Sequence, residues 1–378
     1  MGVPFFDIGR HLAPIRAEIL QAIQHVLDEG DFILGRDVGD LESALARMIG
    51  VEGAVGVSSG TDALLVSAMA LGIGPGDEVI TTPFTFFATA GAAVRLGARV
   101  RFSDIDPETY NLDPEQALAV AGARTRAIVP VHLFGHMAEM APLVEWSGRT
   151  GGAVIEDAAQ AIAASCPLGV AGSVGTCGTF SFFPSKNLGG IGDGGLVVSS
   201  SAAFLDRVRL LRNHGARPKY HHETIGGNFR LDTIQAAVLL KMLPLLETWT
   251  RRRRELARRY VTWFEQSGLV QSGEVVMPVE RPGFRHVYNQ FVIRSRRRDE
   301  LAEFLRRHEV GCAVYYPEPL HVQPCFADLG YREGSLPHAE AACREVLALP
   351  IFPELTDAEQ EQVVARVVEF HVRRHEEP

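Results

Sequence analysis

The stretch AVIEDAAQA, residues 153–161, decides the architecture. Its first five residues form an apolar run that ends in two adjacent acids, and a run without polar alternation marks a strand buried on both faces. Acids at the carboxyl end of such a strand stand where open α/β sheets place their ligands. Six further runs share the pattern: AVGVS (54–58), EVITT (78–82), RVRFS (99–103), AIVPV (127–131), TFSFF (179–183) and GLVVS (195–199). Most gaps between them hold a crossover helix, of which TDALLVSAMALG (61–72) is the clearest. The repeating strand–helix order implies an α/β fold: a mainly parallel, seven-stranded sheet with helices on both faces, in one large domain over residues 1–245.

Beyond it, LDTIQAAVLLKMLPLLETWTRRRRELARRYVTWF (231–264) has helical periodicity and is expected to bend at Pro244. Its four consecutive arginines read as a solvated helix face rather than a nucleic-acid patch. Strand-like FVIR (291–294), a helix over 299–308, strand-like CAVYY (312–316) and a last helix over 357–375 predict a smaller α+β domain over residues 246–378.

Composition narrows the function. A net charge of −9 argues against a nucleic-acid partner. No apolar run approaches the roughly 18 residues of a membrane span, and the first residues show no secretory pattern. Five cysteines with no CxxC pair exclude a disulfide framework and a zinc knuckle, and lead us to expect no metal and a reducing cytoplasm.

Three stretches carry chemistry. In SSGTDALLVSAMA (58–70), small residues turn the chain from a strand into a helix, making either a plain N-cap or an anion site built from free N–H groups and hydroxyls. In 153–161, Asp157 either caps the next helix or needs a cation, and Gln160 lies one turn later. In GTFSFFPSKNLGGIGDGGLVVS (178–199), Lys186 is either an ordinary surface lysine or an amine made nucleophilic by apolar neighbours. The alternating Gly190, Gly192 and Gly194 precede a strand, so the dinucleotide-binding context fails. One ligand unites the three stretches: its phosphate on the Ser59–Thr61 turn with Ser181, its protonated ring nitrogen on Asp157, its aldehyde on Lys186. That ligand is pyridoxal phosphate. Phe86, in PFTFFATA (83–90), is the aromatic expected over the ring face.

The chain resembles the DegT/StrS-type sugar aminotransferases, a fold-type-I pyridoxal-phosphate family, nearly end to end. The resemblance rests on GDFILGRDVGDLESALA (30–46), SSGTDAL (58–64), GPGDEVITTPFTFFATA (74–90), PVHLFG (130–135), IEDAAQA (155–161), SFFPSKNLGGIGDGG (181–195), GGNFRLDTIQAA (226–237), VYYPEPLHVQP (314–324) and LALPIFPEL (347–355). It implies that Lys186 forms the Schiff base and shuttles the proton, and that Asp157 pairs with the ring nitrogen. By the same resemblance Gln160 bonds the phenolic oxygen and Phe86 stacks on the ring, while Thr61, Ser181 and the Gly60 backbone hold the phosphate. Asn228 is expected to reach the phosphate of a neighbouring subunit, so that a homodimer shares its sites. Arg230, Tyr316 and His321 match positions that face the sugar.

The resemblance further implies transfer of an amino group from L-glutamate, released as 2-oxoglutarate, to a UDP- or dTDP-linked keto sugar. Relatives acting on 3-keto sugars typically carry the pattern seen in SFFPSKNLGGIGDGG, so amination at C3 is expected, with C4 the alternative. Phe229 and GHMAEM (135–140) depart from the family pattern near the expected sugar site. A lysine at 186 favours transfer over dehydration, since dehydrating relatives carry histidine there. A non-catalytic regulator that binds the cofactor or a sugar nucleotide is the rival from another class.

Overall fold

A computed structural model of the chain describes residues 2–372. The seven predicted runs form one sheet: β1 (Gly53–Val57), β2 (Glu78–Thr81), β3 (Arg99–Phe102), β4 (Thr125–Val129), β5 (Ala153–Asp157), β8 (Cys177–Ser181) and β9 (Gly195–Ser199). A two-residue hairpin, β6 (Ser165–Cys166) and β7 (Gly169–Val170), lies apart from it. The strand order is β1-β9-β8-β5-β4-β2-β3, and only β9 runs antiparallel to its neighbours. The carboxyl ends of β1, β2, β4, β5 and β8 therefore share one end of the sheet.

Each strand sends alternate residues to two cores. Val57, Val79, Val129, Ile155 and Val197 pack against the helices Gly60–Ala70, Ala88–Arg95 and Ala202–Arg212. Ile80, Ile128, Val154, Phe180 and Val198 pack on the other face against Arg36–Ile49, Ala141–Thr150 and Thr233–Met242. This is why the strands read as unbroken apolar runs. The edge strand β3 is closed at its end by Tyr331, whose hydroxyl accepts from the Phe102 N–H at 3.0 Å and donates to its carbonyl at 3.1 Å.

The long helical stretch bends as expected: Thr233–Met242, a 3₁₀ turn at Leu243–Leu245 containing Pro244, then Leu246–Gln266. Behind it lies a third core on the two-stranded sheet β10 (Phe291–Arg294) and β11 (Val346–Leu349), with Arg298–Arg307 and Asp357–Val372 packed on it. Val3 joins this core through backbone bonds with Glu309 and Gly311. One expectation needs correction. CAVYY (312–316) forms no strand; it touches β11 through a single bridge at Ala313, and Val346–Leu349 takes the place beside β10. Of the last helix, residues 373–375 lie outside the described residues. Among the described residues no helix is long and apolar enough to cross a membrane.

Candidate active site

The shared end of the sheet opens into a cavity of about 510 Å³. One wall is the turn after β1. The Ser59 side chain accepts from the Asp62 N–H at 3.0 Å, and Ser58 Oγ donates to Asp62 Oδ2 at 2.6 Å. The serine is thus a cap, yet Ser59, Gly60 and Thr61 also line the cavity together with Ser181. Helix N-termini leave N–H groups unpaired and carry partial positive charge, so this corner favours an anion. Gly60 is needed there: a Cβ would lie 2.8 Å from the Cβ of Ser181, and any larger residue would push the turn away from β8.

The second wall is β5, and its pleat separates the two acids. Glu156 is fully buried on the far face, where it accepts from the Gly172, Val174 and Gly175 N–H groups and pairs with His132 at 2.8 Å. His132 Nδ1 accepts from the Ala138 N–H, which puts the ring proton on Nε2, facing that carboxylate. Asp157 points into the cavity instead. It is 5% exposed and accepts from Thr89 Oγ1 at 2.7 Å and from the Ala159 N–H at 3.2 Å. Burial raises its pKa; Thr89, the Ala159 N–H, Lys186 and His132 oppose the rise.

Lys186 sits in the loop between β8 and β9, held by its own N–H to Phe183 O at 2.8 Å. Its side chain lines the same cavity, and its amine makes no hydrogen bond among the described residues. The surrounding protein lowers its pKa to about 8, against the pull of Asp157. About a tenth of the amine is then neutral at pH 7, roughly 300-fold more than at the ordinary lysine value of 10.5, and that fraction is the nucleophile. Condensation of the cofactor-free chain with a simple aromatic aldehyde, trapped with borohydride, should therefore rise with pH and level off above about 8. A rate still climbing toward 10.5, the ordinary lysine value, overturns this. Between those two pH values the folded chain binds fewer protons at Lys186 than the unfolded chain, so this residue's share of stability grows as pH rises.

Phe86, Gln160 and Tyr316 also line the cavity. Phe86 is 61% exposed there. Gln160 accepts from the Phe134 N–H at 2.7 Å and donates to the Tyr316 hydroxyl at 3.4 Å. Three expected residues lie elsewhere in this chain. Asn228 is exposed on the outward segment before helix Thr233–Met242, together with Ile225. Arg230 donates to Asn213 Oδ1 at 2.8 Å, off the cavity lining. His321 does not face the cavity: it is 1% exposed and bonded to Glu340 at 3.1 Å, a departure set by the turn Leu320–Val322 folding the ring inward.

Two cavity features escaped the sequence reading. Thr89 bonds Asp157 and is itself bonded by Thr85, four residues before it, a spacing that a search for paired hydroxyls after β2 would find. Arg253, taken as part of a solvated face, is 3% exposed and lines the cavity. Its Nη1 donates to Ile351 O at 2.6 Å, and burial lowers its pKa to about 10 against the pull of Glu354. The signal was its register with Leu246, Trp249, Leu256 and Tyr260 on the buried stripe.

The site's residues span a chain that matches, over residues 14–368, the model of the DegT/DnrJ/EryC1/StrS aminotransferase family. The chain belongs to this family. It is similar to a pleiotropic regulatory protein of Geobacillus stearothermophilus, 45% identical over 98% of this chain and 99% of that one. It is also similar to the UDP-N-acetyl-3-dehydro-α-D-glucosamine 3-aminotransferase of Acidithiobacillus ferrooxidans, 42% identical over 97% and 96% of the two chains. Among solved structures it resembles S. venezuelae DesV in complex with a ketimine intermediate. That likeness has a TM-score of 0.93 and 41% identity, covering 98% of each chain.

Proposed function

We propose that the chain is a pyridoxal-phosphate-dependent aminotransferase that moves an amino group from L-glutamate to the C3 keto group of a UDP- or dTDP-linked sugar. The observation that carries this reading is the meeting, in one cavity, of a helix N-terminus with free hydroxyls, a buried carboxylate and an unbonded lysine amine. These residues fit the cofactor by their chemistry. Thr61 and Ser181 offer hydroxyls beside the free N–H groups for its phosphate, Asp157 an acceptor for its ring N–H, and Lys186 an amine for its carbonyl. When bound, the cofactor supplies an aldehyde that carries the amino group and a ring that withdraws electrons.

The chain's own residues do the rest. Lys186 Nζ takes the proton from the amino donor's Cα and returns a proton to the product side. Asp157 keeps the ring N–H charged, while Phe86 and Gln160 fix the ring's plane. We take residues 1–245 as the cofactor-binding domain and 246–378 as the smaller domain, from which Arg253, Asn289 and Tyr316 reach the cavity lining. The outward loop with Asn228, Tyr220 (84% exposed) and Ile225 (89% exposed) suits a second copy of the chain, to whose phosphate corner Asn228 would add its amide. A cytoplasmic location accords with all five cysteines being free.

The relative acting on a 3-dehydro sugar supports C3 over C4. Incubation with glutamate and a UDP- or dTDP-3-keto sugar, followed by NMR of the product, should place the new amine on C3; an amine on C4 rejects the regiochemistry. Spectral conversion of the bound cofactor on adding glutamate alone separates an enzyme from a regulator that merely binds.

A further inference from the structure

We propose that Thr89 is a positioning residue for this reaction: its hydroxyl, backed by that of Thr85, holds the Asp157 carboxylate ionised and aimed at the cofactor's ring nitrogen. The inference rests on the reading of Asp157 given above. Thr89 is 2% exposed, and its Oγ1 lies 2.7 Å from Asp157 Oδ2, 3.2 Å from Phe86 O and 3.0 Å from Thr85 Oγ1. A hydroxyl has one proton to give and two lone pairs to receive. When Asp157 is ionised, the shorter charge-assisted bond takes that proton, and Thr85 donates into Thr89 in turn. When Asp157 is protonated, the carboxyl needs no donor and the Thr89 proton turns to Phe86 O. The orientation of this hydroxyl is therefore tied to the charge of Asp157.

The two carboxylate oxygens are also held differently. Oδ1 receives a backbone N–H from Ala159, a donor no side-chain substitution removes, whereas Oδ2 depends on Thr89 alone among the described residues. The other titratable groups facing Asp157 are Lys186, His132 and Tyr316. His132 is committed to Glu156 and the Ala138 N–H, and Tyr316 is near Gln160. Among the described residues Thr89 is thus the one neutral side chain that donates to Asp157, placed to set the carboxylate's charge and direction without competing for the substrate.

The test is pyridoxal phosphate binding to the cofactor-free chain, measured from pH 5 to 9 with wild type, Thr89→Val and Thr89→Ser. Valine keeps the shape and removes the hydroxyl. The expected result is about 10- to 100-fold weaker binding near neutral pH, the scale of a charge-assisted hydrogen bond. The acid limb of the affinity profile should also move up by about one pH unit, because the unsupported carboxylate holds its proton longer. Serine should restore both. Equal affinity in Thr89→Val overturns the proposal, as does a loss of the same factor at every pH that serine leaves unrepaired. If Thr89→Val does not fold, Thr89→Cys, similar in size with a weak donor, takes its place under the same outcomes. A wild-type chain that never binds pyridoxal phosphate sinks the site reading and this proposal together; binding by wild type with an indistinguishable variant sinks this proposal alone.

Discussion

Lys186→Ala should lower turnover by at least about 10³-fold, the combined scale of a lost nucleophile and a lost acid–base group. The loss should fall on chemistry and leave folding nearly unchanged. The lysine's amine makes no hydrogen bond among the described residues, and its removal relieves the strain of holding a charge where the protein lowers its pKa to about 8. The thermal midpoint is therefore expected to stay level or rise. Rapid mixing of the cofactor-loaded variant with glutamate should show little spectral change on the wild-type time scale. Borohydride should fix label on the peptide around residue 186 in wild type and on no peptide in the variant. Turnover within tenfold of wild type would falsify the assigned role.

Asp157→Asn tests the opposite end of the cavity and is expected to cost about 10²–10³-fold in turnover, the range for removing one pre-oriented electrostatic partner of a developing charge. Asparagine keeps the size and can still accept from Thr89, so the fold should survive. What it lacks is the negative charge that holds a proton on the ring nitrogen. Affinity for pyridoxal phosphate should fall as well, and the absorption of the bound cofactor should report an unprotonated ring. Normal kcat with only weaker cofactor binding would mean that Asp157 anchors the ring and does nothing for the chemistry.

Most of the sheet was legible because buried parallel strands leave an unmistakable trace. All seven apolar runs became strands, with ends shifted by two residues or fewer, and AVIED and GLVVS kept their bounds. The site's core was legible for a related reason: Ser59, Asp157 and Lys186 each stand at or just beyond the carboxyl end of a strand at the same end of the sheet, so strand direction alone brings them together. What escaped depends on contacts between distant segments. CAVYY has strand composition, but it meets the small sheet only at Ala313, through a single bridge to Ala348 on the outer edge of β11. His321 sits in a stretch whose fold is set by Glu340, nineteen residues on. Thr89 looks like any helix threonine until β5 delivers Asp157 to it. Arg253 shows how a run of like charges conceals the one member that helical phase carries inward.

The pleat of β5 assigns Glu156 and Asp157, adjacent in sequence, to opposite faces of the sheet. Losing or gaining a single residue within that strand, before the acids, would turn each to the other face. An added residue would bring the longer acid to the cavity position, where it would overreach, and a lost one would bring the shorter acid to the Gly172, Val174 and Gly175 amides, which it cannot span. Length changes in this protein must consequently fall in the loops on either side, and the strand itself acts as a ruler that evolution can repaint but not recut.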